Sequence, residues 1–422
     1  MDWSSFLSTI LIILNIYRFI ALRISKHTSA QENTSFSATI SKVAVASIAF
    51  SLAVLLVAFA VLHGFSDTIK ARVFSFSGHL RVVMNSANQS VEETPIATTR
   101  NIYKIAKTLD YVSHVQYYVQ KAGVIKADKE VLGVVVKGLG ADYRFSDFKD
   151  NIKQGRFMRT NGEGFSSEVV ISHIIADKLR LSVGDSIRMF FVQNPPKFRK
   201  LAIVGIYESN METFDDKFIL ADMRMLQKVN DWKDTLVSGY EVFFKDFDKF
   251  NENLPKLNSL LEYDTLIVPI AQKHLDIFDW LMMLDQNVLI LLIIILVVAS
   301  LNIFSILIIL MTERIKMIGM LKAMGTTTAQ VIRIFFYQGL QITLKGIFWG
   351  NLIGLGFCAL QYFTKIIALD AKNYYMNSVP ISWWWQDILG VNLGILLIIS
   401  LAMLLPIALV SRIRPIKAIK FD

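Results

Sequence analysis

The chain has 422 residues, of which 53% are hydrophobic, and its mean hydropathy of +0.45 is too high for an ordinary soluble protein. Its net charge of +9 could indicate a nucleic-acid-binding protein, but the cations cluster beside long apolar segments. The composition therefore predicts an integral membrane protein with no nucleic-acid partner.

The N-terminal segment is apolar over Phe6–Tyr17 and then basic. The apolar run is too short to span a bilayer, and it has neither the basic start nor the cleavage site of a signal peptide. We expect residues 1–39 to form an amphipathic helix at the cytoplasmic membrane surface, followed by a polar linker.

Four later segments have the length and apolar character of membrane spans, which require about 20 residues each. We assign them to residues 40–63, 288–311, 335–364 and 388–410. Their uncharged runs are Val43–Leu62, Val288–Met311, Gly346–Phe363 and Ile388–Val410.

The distribution of lysine and arginine predicts the topology. Basic residues precede the first span, lie between the second and third, and follow the fourth. By the positive-inside rule, both termini, including the tail 411–422, and the loop 312–334 are cytoplasmic. Residues 64–287 and the short loop 365–387 then lie on the opposite side of the membrane.

The insert at 64–287 mixes strand and helix patterns, which predicts an α+β domain. The expected strands are His79–Met84, Val112–Val119, Val131–Val136, Ser186–Val192, Leu201–Tyr207, Phe218–Leu220, Tyr240–Phe244 and Thr265–Val268. The expected helices are Thr98–Leu109, Ser172–Leu181, Ala221–Val229 and Asp246–Leu261. Two more helices, Ser66–Phe76 and Ala271–Gln286, should extend the first and second spans into the insert as stalks.

No pattern in the chain indicates catalysis. There is no phosphate-binding G-x-x-x-x-G-K-[ST] loop, the six histidines lack zinc-ligand spacing, and Ser172-His173 is only an adjacent pair. Cys358, the single cysteine, falls within the third span, so the insert has no disulfide. We expect no enzyme activity, no metal and no cofactor in this chain.

The loop between spans two and three can form a short amphipathic helix that ends at Gly325. An exposed apolar face on such a helix favours a partner groove, such as that of a motor subunit, although the loop could instead pack on lipid headgroups. The candidate coupling residues are Glu313, Arg314, Met317, Gly319, Met320, Leu321, Lys322, Met324 and Gly325.

Small residues recur every four positions in the third span, at Gly346, Gly350 and Gly354. Such a face lets two helix backbones approach closely. The partner could be another span of the same chain or a second subunit.

In these segments the chain resembles the permeases of MacB/FtsX-type ABC transporters, and more specifically the transmembrane subunits of the lipoprotein-releasing (Lol) system. The resemblance covers nearly the whole chain, and it rests on the order and spacing of many short motifs. Those motifs include Phe19–Arg23, His63–Phe65, Gly155–Phe157, Glu168–Ser172, Val183–Asp185, Val204–Ser209 with Asp215 and Phe218–Leu220, Glu313–Arg314, Gly319–Gly325, Val379-Pro380, Trp385–Asp387 and Arg412–Ile419.

The resemblance implies a pair of permeases in the bacterial inner membrane, identical or different, bound to two copies of a separate cytoplasmic ATPase that would hold ATP and Mg. Such a complex would extract lipoproteins and pass them to a periplasmic carrier. One kind of subunit in this family recruits the carrier through an extended hook. The corresponding segment here is short, and its tip, Asn194, Pro195, Pro196 and Lys197, is either a reduced hook or an ordinary hairpin end.

Extraction of an acylated anchor is costly, because each buried CH₂ contributes about 0.8 kcal/mol. A sheltering apolar cavity is therefore expected, and the first span could line it, although its apolar residues could equally face lipid. The candidate cavity residues are Phe50, Leu55, Leu56, Val57 and Phe59.

Two other functions remain open. The chain could transmit a mechanical signal to periplasmic cell-wall hydrolases, as the cell-division members of the superfamily do, or it could be a MacB-like efflux permease. The large insert disfavours the first alternative, since the ectodomains of the division members are small. The absence of a fused ATPase disfavours the second.

Overall fold

The computed structural model describes residues 36–86, 92–127, 130–160, 164–247, 249–370 and 374–411. It divides into two compact units. One, which we call the insert domain, contains Ser66–Leu281 with Ala368–Ser378, and the other contains the remaining described residues. The helix and linker predicted over 1–39 lie outside the described residues as far as residue 35, and residues 36–39 are already helical rather than a linker. Of the predicted tail 411–422, only Ser411 is described, and it ends the last helix.

The insert domain is built around a large mixed sheet. Its strands run in the order β12-β1-β11-β3-β4-β9-β6-β8-β5, with β7 pairing to β3 and β8, while β2 and β10 form a separate pair. The strands are β1 Leu80–Met84, β2 Ile96–Ala97, β3 Val112–Ala127, β4 Glu130–Leu139, β5 Ile152–Gly155, β6 Glu168–Ser172, β7 Ser186–Phe191, β8 Lys197–Tyr207, β9 Phe218–Asp222, β10 Leu236–Val237, β11 Gly239–Phe244 and β12 Thr265–Pro269.

The helices are α1 Phe36–Ser77, α2 Asn101–Thr108, α3 His173–Leu179, α4 Glu212–Asp215, α5 Met223–Val229, α6 Phe250–Asn258, α7 Ile270–Lys273, α8 Leu275–Thr312, α9 Ile315–Ala323, α10 Thr328–Thr364 and α11 Trp385–Ser411. Two short 3-10 turns occupy Phe145–Asp147 and Lys149–Asn151. Each predicted strand of the insert overlaps an observed strand, and the α+β class is confirmed. The helix predicted over 246–261 is shorter than expected at both ends, since it begins at Phe250 and ends at Asn258.

One face of the sheet is covered by the hydrophobic core of the insert domain. Alternate residues of the central strands, such as Val82, Val115, Val136 and Val242, point into this core. The intervening residues lie on the opposite face, where Arg81, Gln116, Lys137 and Glu241 are also buried. That second face therefore contains a buried layer of charged and amide side chains.

Four helices in the described part of the chain are long and apolar enough to cross a membrane. They are α1, α8, α10 and α11, which confirms the prediction of four spans. Helix α1 continues without a break from the first span to Ser77, as the predicted stalk at 66–76 requires.

The prediction of one continuous helix over 271–286 is wrong. Helix α7 ends at Lys273, His274 leaves the helical conformation with φ −123° and ψ 51°, and α8 begins at Leu275. The His274 ring lies edge-on to Phe214 at 5.1 Å between ring centroids, and its carbonyl accepts the amides of Ile277 and Phe278. A tertiary contact thus accompanies the break, and the sequence periodicity did not reveal it.

The membrane helices pack around an apolar core to which all four contribute, with Leu52, Leu307, Phe335 and Ile399 among its buried members. A reciprocal pair of amides links α10 to α11. Asn351 donates to Asn392 at 2.7 Å, and Asn392 donates back at 3.0 Å. Because each amide also donates to its own helix backbone, the pair is well satisfied and sets the register of the two helices.

The glycine face of α10 packs within the chain, against α1. A Cβ atom added to Gly346 would lie 2.6 Å from a side-chain carbon of Ile48, and one added to Gly354 would lie 3.0 Å from Cα of Ala53. Of the two alternatives that the sequence left open, the structure therefore shows intramolecular packing.

Replacing Gly350 with valine should destabilise the helix bundle by about 1–3 kcal/mol, because the new side chain would overpack this contact. A Cβ at Gly350 would lie 2.8 Å from Cβ of Leu52 and 2.9 Å from the carbonyl oxygen of Ala49. Gly356→Val is the matched control, since nothing lies within 4 Å of a Cβ at that position. Thermal unfolding of both full-length variants in detergent measures the difference, and equal melting temperatures would contradict the proposed packing.

Candidate functional site

The candidate coupling helix α9 follows the end of α8 after a two-residue turn and is fixed at both ends. At its C-terminus the Thr326 amide donates to the Leu321 carbonyl at 3.0 Å, and the Gly325 amide donates to Lys322 at 3.1 Å. Gly325 has φ +91°, so this is the left-handed helix stop that the sequence predicted. Thr327 then caps α10 through a reciprocal capping box with Gln330.

Helix α9 presents one buried and one exposed side. Ile318 and Gly319 are buried, and Ile318 joins the core of the membrane helices. Met320 is 57% exposed and Met324 is 82% exposed, whereas Leu321 is half-buried. Two large apolar side chains are thus exposed near the C-terminal end of this helix, and we call them the Met320–Met324 face.

The charged residues around this face differ in their exposure. Glu313 is exposed, while Arg314, Met317 and Lys322 are half-buried. Burial lowers the pKa of Arg314, although Glu313 opposes that effect, and the guanidinium stays charged at any physiological pH. The structure thus brings the predicted coupling residues together on one short helix and its flanking turns.

The candidate carrier-contact tip is the end of the β7–β8 hairpin. Asn194, Pro195 and Pro196 are exposed. The Lys197 ammonium donates hydrogen bonds to the Val229 carbonyl at 3.0 Å and to the Asp231 carboxylate at 2.6 Å. The neighbouring Gln193 side chain also donates to the Val229 carbonyl, at 3.1 Å. The tip is therefore short and held against the end of α5.

A surface that the sequence reasoning missed lies on the strands of the same hairpin. Phe190, Val192 and Phe198 are exposed by 39%, 77% and 67%, and the rings of Phe190 and Phe198 face each other across the two strands. Beside them, Lys126, Arg188 and Lys200 lie in register on β3, β7 and β8. The sequence contained a sign of this surface. Side chains alternate between the two faces of a strand, and Phe190 follows Ser186 and Arg188 on the exposed face of β7.

The five candidate cavity residues do not share one surface. Phe50 is 72% exposed, whereas Leu55 and Leu56 are buried in the core of the membrane helices. Val57 and Phe59 are half-buried. Of these five residues only Phe50 is largely exposed, so the cavity that was expected from the first span stays a prediction.

The Ser172-His173 pair has a structural role. The Ser172 hydroxyl accepts the Ile175 amide at 3.1 Å and so caps α3, and it donates to the Asp215 carbonyl. The His173 ring lies 3.7 Å from the Asp215 carboxylate. Among the described residues, no group of three or more His, Cys, Asp or Glu side chains could hold a metal ion.

Comparison with known proteins matches two family models to this chain. Residues 289–415 match the FtsX-like permease C-terminal family, and residues 41–245 match the MacB-like periplasmic core domain. The first match includes α9 and both helices that flank it, while the second includes the β7–β8 hairpin. The two models therefore contain both surfaces described above.

The chain is also similar to curated proteins over nearly its full length. It is 21% identical to the lipoprotein-releasing system transmembrane protein LolC of Xylella fastidiosa, over 94% of this chain and 97% of that protein. It is 23% identical to the lipoprotein-releasing system transmembrane protein LolE of Haemophilus influenzae, over 90% and 93%. Among solved structures, the periplasmic region of MacB from Actinobacillus actinomycetemcomitans matches with a TM-score of 0.34 and 12% identity, over 48% of this chain and 95% of that one.

Proposed function

This chain belongs to the MacB/FtsX-like family of ABC transporter permeases, and from that premise we propose that it is a transmembrane subunit of a complex that extracts lipoproteins from the inner membrane. The observation that carries the proposal is its similarity, over 90% or more of its length, to both LolC and LolE proteins of lipoprotein-releasing systems. The charge bias of the loops supports an arrangement in which the insert domain is periplasmic and α9 is cytoplasmic.

ATP hydrolysis in this proposal belongs to a separate cytoplasmic ATPase, which would hold ATP and Mg. The Met320–Met324 face supports the contact, because two exposed methionines can adapt to a partner groove. The Schellman motif at Gly325 and the capping box at Thr327 hold this face in a fixed position. A movement of the ATPase would then be passed to α8 and α10, which flank α9.

A second permease would complete the complex. Such a subunit, identical or different, would shelter the acyl chains together with this one, with Phe50 as the candidate contact of this chain. The similarity to LolC and to LolE supports such a pair without favouring either composition.

A periplasmic carrier would receive the lipoprotein at the β7–β8 hairpin. Its short tip offers Asn194, Pro195 and Pro196, and its strands offer the exposed Phe190, Val192 and Phe198 beside the cationic row. Like charges in register on adjacent strands destabilise a sheet, so an acidic partner would relieve a local cost. The hairpin therefore fits a carrier that presents an apolar surface rimmed with carboxylates.

The proposal is tested by depleting the protein in its native cell and restoring it as wild type, Met320→Glu or Thr328→Glu. We expect depletion to leave lipoproteins in the inner membrane, and wild type to restore their sorting. Met320→Glu should fail to restore sorting and should lose the co-purifying ATPase, because a carboxylate at the centre of an apolar contact is costly to bury. Proteomics of separated inner and outer membranes measures sorting.

Thr328→Glu is the control, since it adds the same charge at an exposed position in the first turn of α10, where an acidic residue is favourable. Stoichiometric ATPase binding by Met320→Glu would disprove the docking assignment. Normal lipoprotein sorting in depleted cells, together with a division or cell-wall defect, would disprove extraction and favour a signal-transmitting permease.

A further inference from the structure

The loop 208–216 joins β8 to β9, and the proposed function gives it no role. A fully buried carboxylate organises it. Asp215 accepts the Ser209 amide at 3.0 Å and the Ser209 hydroxyl at 2.7 Å, so the loop closes on itself. The Ser172 hydroxyl holds the Asp215 carbonyl from α3. The loop is therefore rigid, although it contains no strand.

The rigid loop binds the end of α1, the helix that continues from the first span. The Arg72 guanidinium donates to the Ser209 carbonyl. The ring of Phe214 stacks on Phe76 with 4.7 Å between centroids and 29° between planes. Phe76 is the penultimate residue of α1, and the Lys137 ammonium binds its carbonyl oxygen. Two hydrogen bonds from charged side chains to backbone carbonyls and one aromatic contact therefore hold the end of α1.

The same phenylalanine also contacts the start of the second long helix. The Phe214 ring meets the His274 ring edge-on at 5.1 Å, at the break between α7 and α8. Next to it, Phe74 of α1 lies 5.8 Å from Phe278 of α8. Phe214 therefore lies between the two helices that connect the insert domain to spans one and two.

We propose that the loop 208–216 is a joint that holds the insert-domain ends of α1 and α8 in fixed relation, with Phe214 as its wedge and Arg72 and Asp215 as positioning residues. The consequence for transport rests on the proposed function. If the ATPase moves spans one and two, the joint passes both movements to the insert domain as one. Without it, the two helix ends would move independently, and hydrolysis would be uncoupled from release.

The alternative is that Phe214 is an ordinary core residue whose loss only destabilises the domain. Phe191 provides the matched control, because it is as deeply buried, at 1% exposed, but belongs to the core on the other face of the sheet. Both Phe→Ala changes remove the same side-chain volume from a buried position. Only Phe214→Ala removes contacts to α1 and to His274 at the break before α8.

The joint is tested with spin labels at Ala71 and Asp279, which are exposed on α1 and α8, in a background where Cys358 is replaced by serine. We expect a narrow distance distribution in wild type and in Phe191→Ala, and a broad one in Phe214→Ala. Arg72→Gln, which removes the bond to Ser209 without creating a large cavity, should broaden it to a lesser degree. A narrow distribution in Phe214→Ala, or equal broadening in Phe191→Ala, would overturn the proposal.

The functional consequence is measured on the complete complex with its ATPase, as lipoprotein released per ATP hydrolysed. Two aromatic contacts correspond to roughly a tenfold change in an equilibrium, so Phe214→Ala should lower the ratio by about tenfold while hydrolysis continues. The ratio of Phe214→Ala is compared with that of wild type, and a wild-type ratio in Phe214→Ala would overturn the coupling role. If the wild-type complex releases no lipoprotein, the proposed function fails, whereas the distance measurement still decides whether the joint exists.

Discussion

Replacing Glu241 with glutamine should lower the free energy of unfolding of the insert domain by about 3–5 kcal/mol, because two buried cations would lose their counterion. Glu241 is fully buried at the centre of the sheet. Its carboxylate lies 2.9 Å from the Arg81 guanidinium and 2.8 Å from the Lys137 ammonium, and it accepts the Gln116 amide at 3.0 Å. A neutral amide in its place would leave Lys137 without an ion-pair partner and Arg81 with only the more distant Glu93, 4.0 Å away.

The protonation of this cluster follows from the same geometry. Burial alone would raise the pKa of Glu241, but Lys137 and Arg81 outweigh it and hold that pKa below its usual value. Burial lowers the pKa of Lys137 to about 8, even though Glu241 opposes the change. At neutral pH Glu241 is therefore the one carboxylate that contacts both cations, since Glu93 reaches only Arg81, at 4.0 Å.

Hydrogen–deuterium exchange of β1, β3 and β11 in the full-length protein measures this loss. The control is Glu168→Gln, which removes an ion pair with Arg156 at 2.9 Å. Because Arg156 is 46% exposed, solvent screens that pair and its loss should cost only about 0–1 kcal/mol. If Glu241→Gln and Glu168→Gln raise exchange equally, the buried cluster does not stabilise the sheet.

This cluster shows what the sequence could not predict about the fold. The alternation in β1 and β11 places Arg81 and Glu241 on one face and apolar residues on the other, which is typical of strands with a solvent-facing side. The same alternation occurs when a second layer covers the polar face. Here Phe76 at the end of α1 contacts Lys137 and Glu93 lies near Arg81, and such contacts between distant segments leave no local pattern.

The candidate site was predictable where local chemistry defines it. Gly325 is typical of a helix C-terminus and Thr327 of a helix N-cap. The left-handed glycine and the capping box are both present in the structure. The exposure of individual side chains was less predictable. Met320 and Leu321 are adjacent and both apolar, yet only Met320 is exposed, because the rotation of α9 is set by the burial of Ile318. Leu55 and Leu56 were likewise indistinguishable from Phe50 until the packing of α1 was known.

Acidification should stabilise the wild-type insert domain relative to Asp215→Asn. Burial raises the pKa of Asp215 from 3.8 to about 6, although the Ser209 hydroxyl and amide and the nearby His173 oppose the rise. The carboxyl also faces Glu208 on its own loop and Arg72 on α1. Since the unfolded chain has the lower pKa, the folded state binds the proton more tightly between about pH 4 and pH 6.

The sign and size of the effect follow from that difference. Stability that depends on this proton is absent at pH 7, grows as the pH falls through 6, and reaches about 1 kcal/mol by pH 5 and about 3 kcal/mol below the unfolded pKa. Asparagine at position 215 binds no proton, so its contribution does not change with pH. The difference in unfolding free energy between wild type and Asp215→Asn isolates Asp215, because all other titrating groups are common to both proteins.

Urea-induced unfolding of the full-length protein in detergent, followed by the β-sheet circular dichroism signal, measures this difference at pH 7 and pH 5. Asp216→Asn is the control, because Asp216 is a neighbouring but exposed carboxylate that pairs with Lys178 at the surface. We expect a pH-dependent difference for Asp215→Asn and a much smaller one for Asp216→Asn. Equal pH dependence in the two variants would mean that burial does not govern Asp215. The hydrogen bonds from Ser209 and the charge of His173 would then offset the effect of burial on the carboxylate.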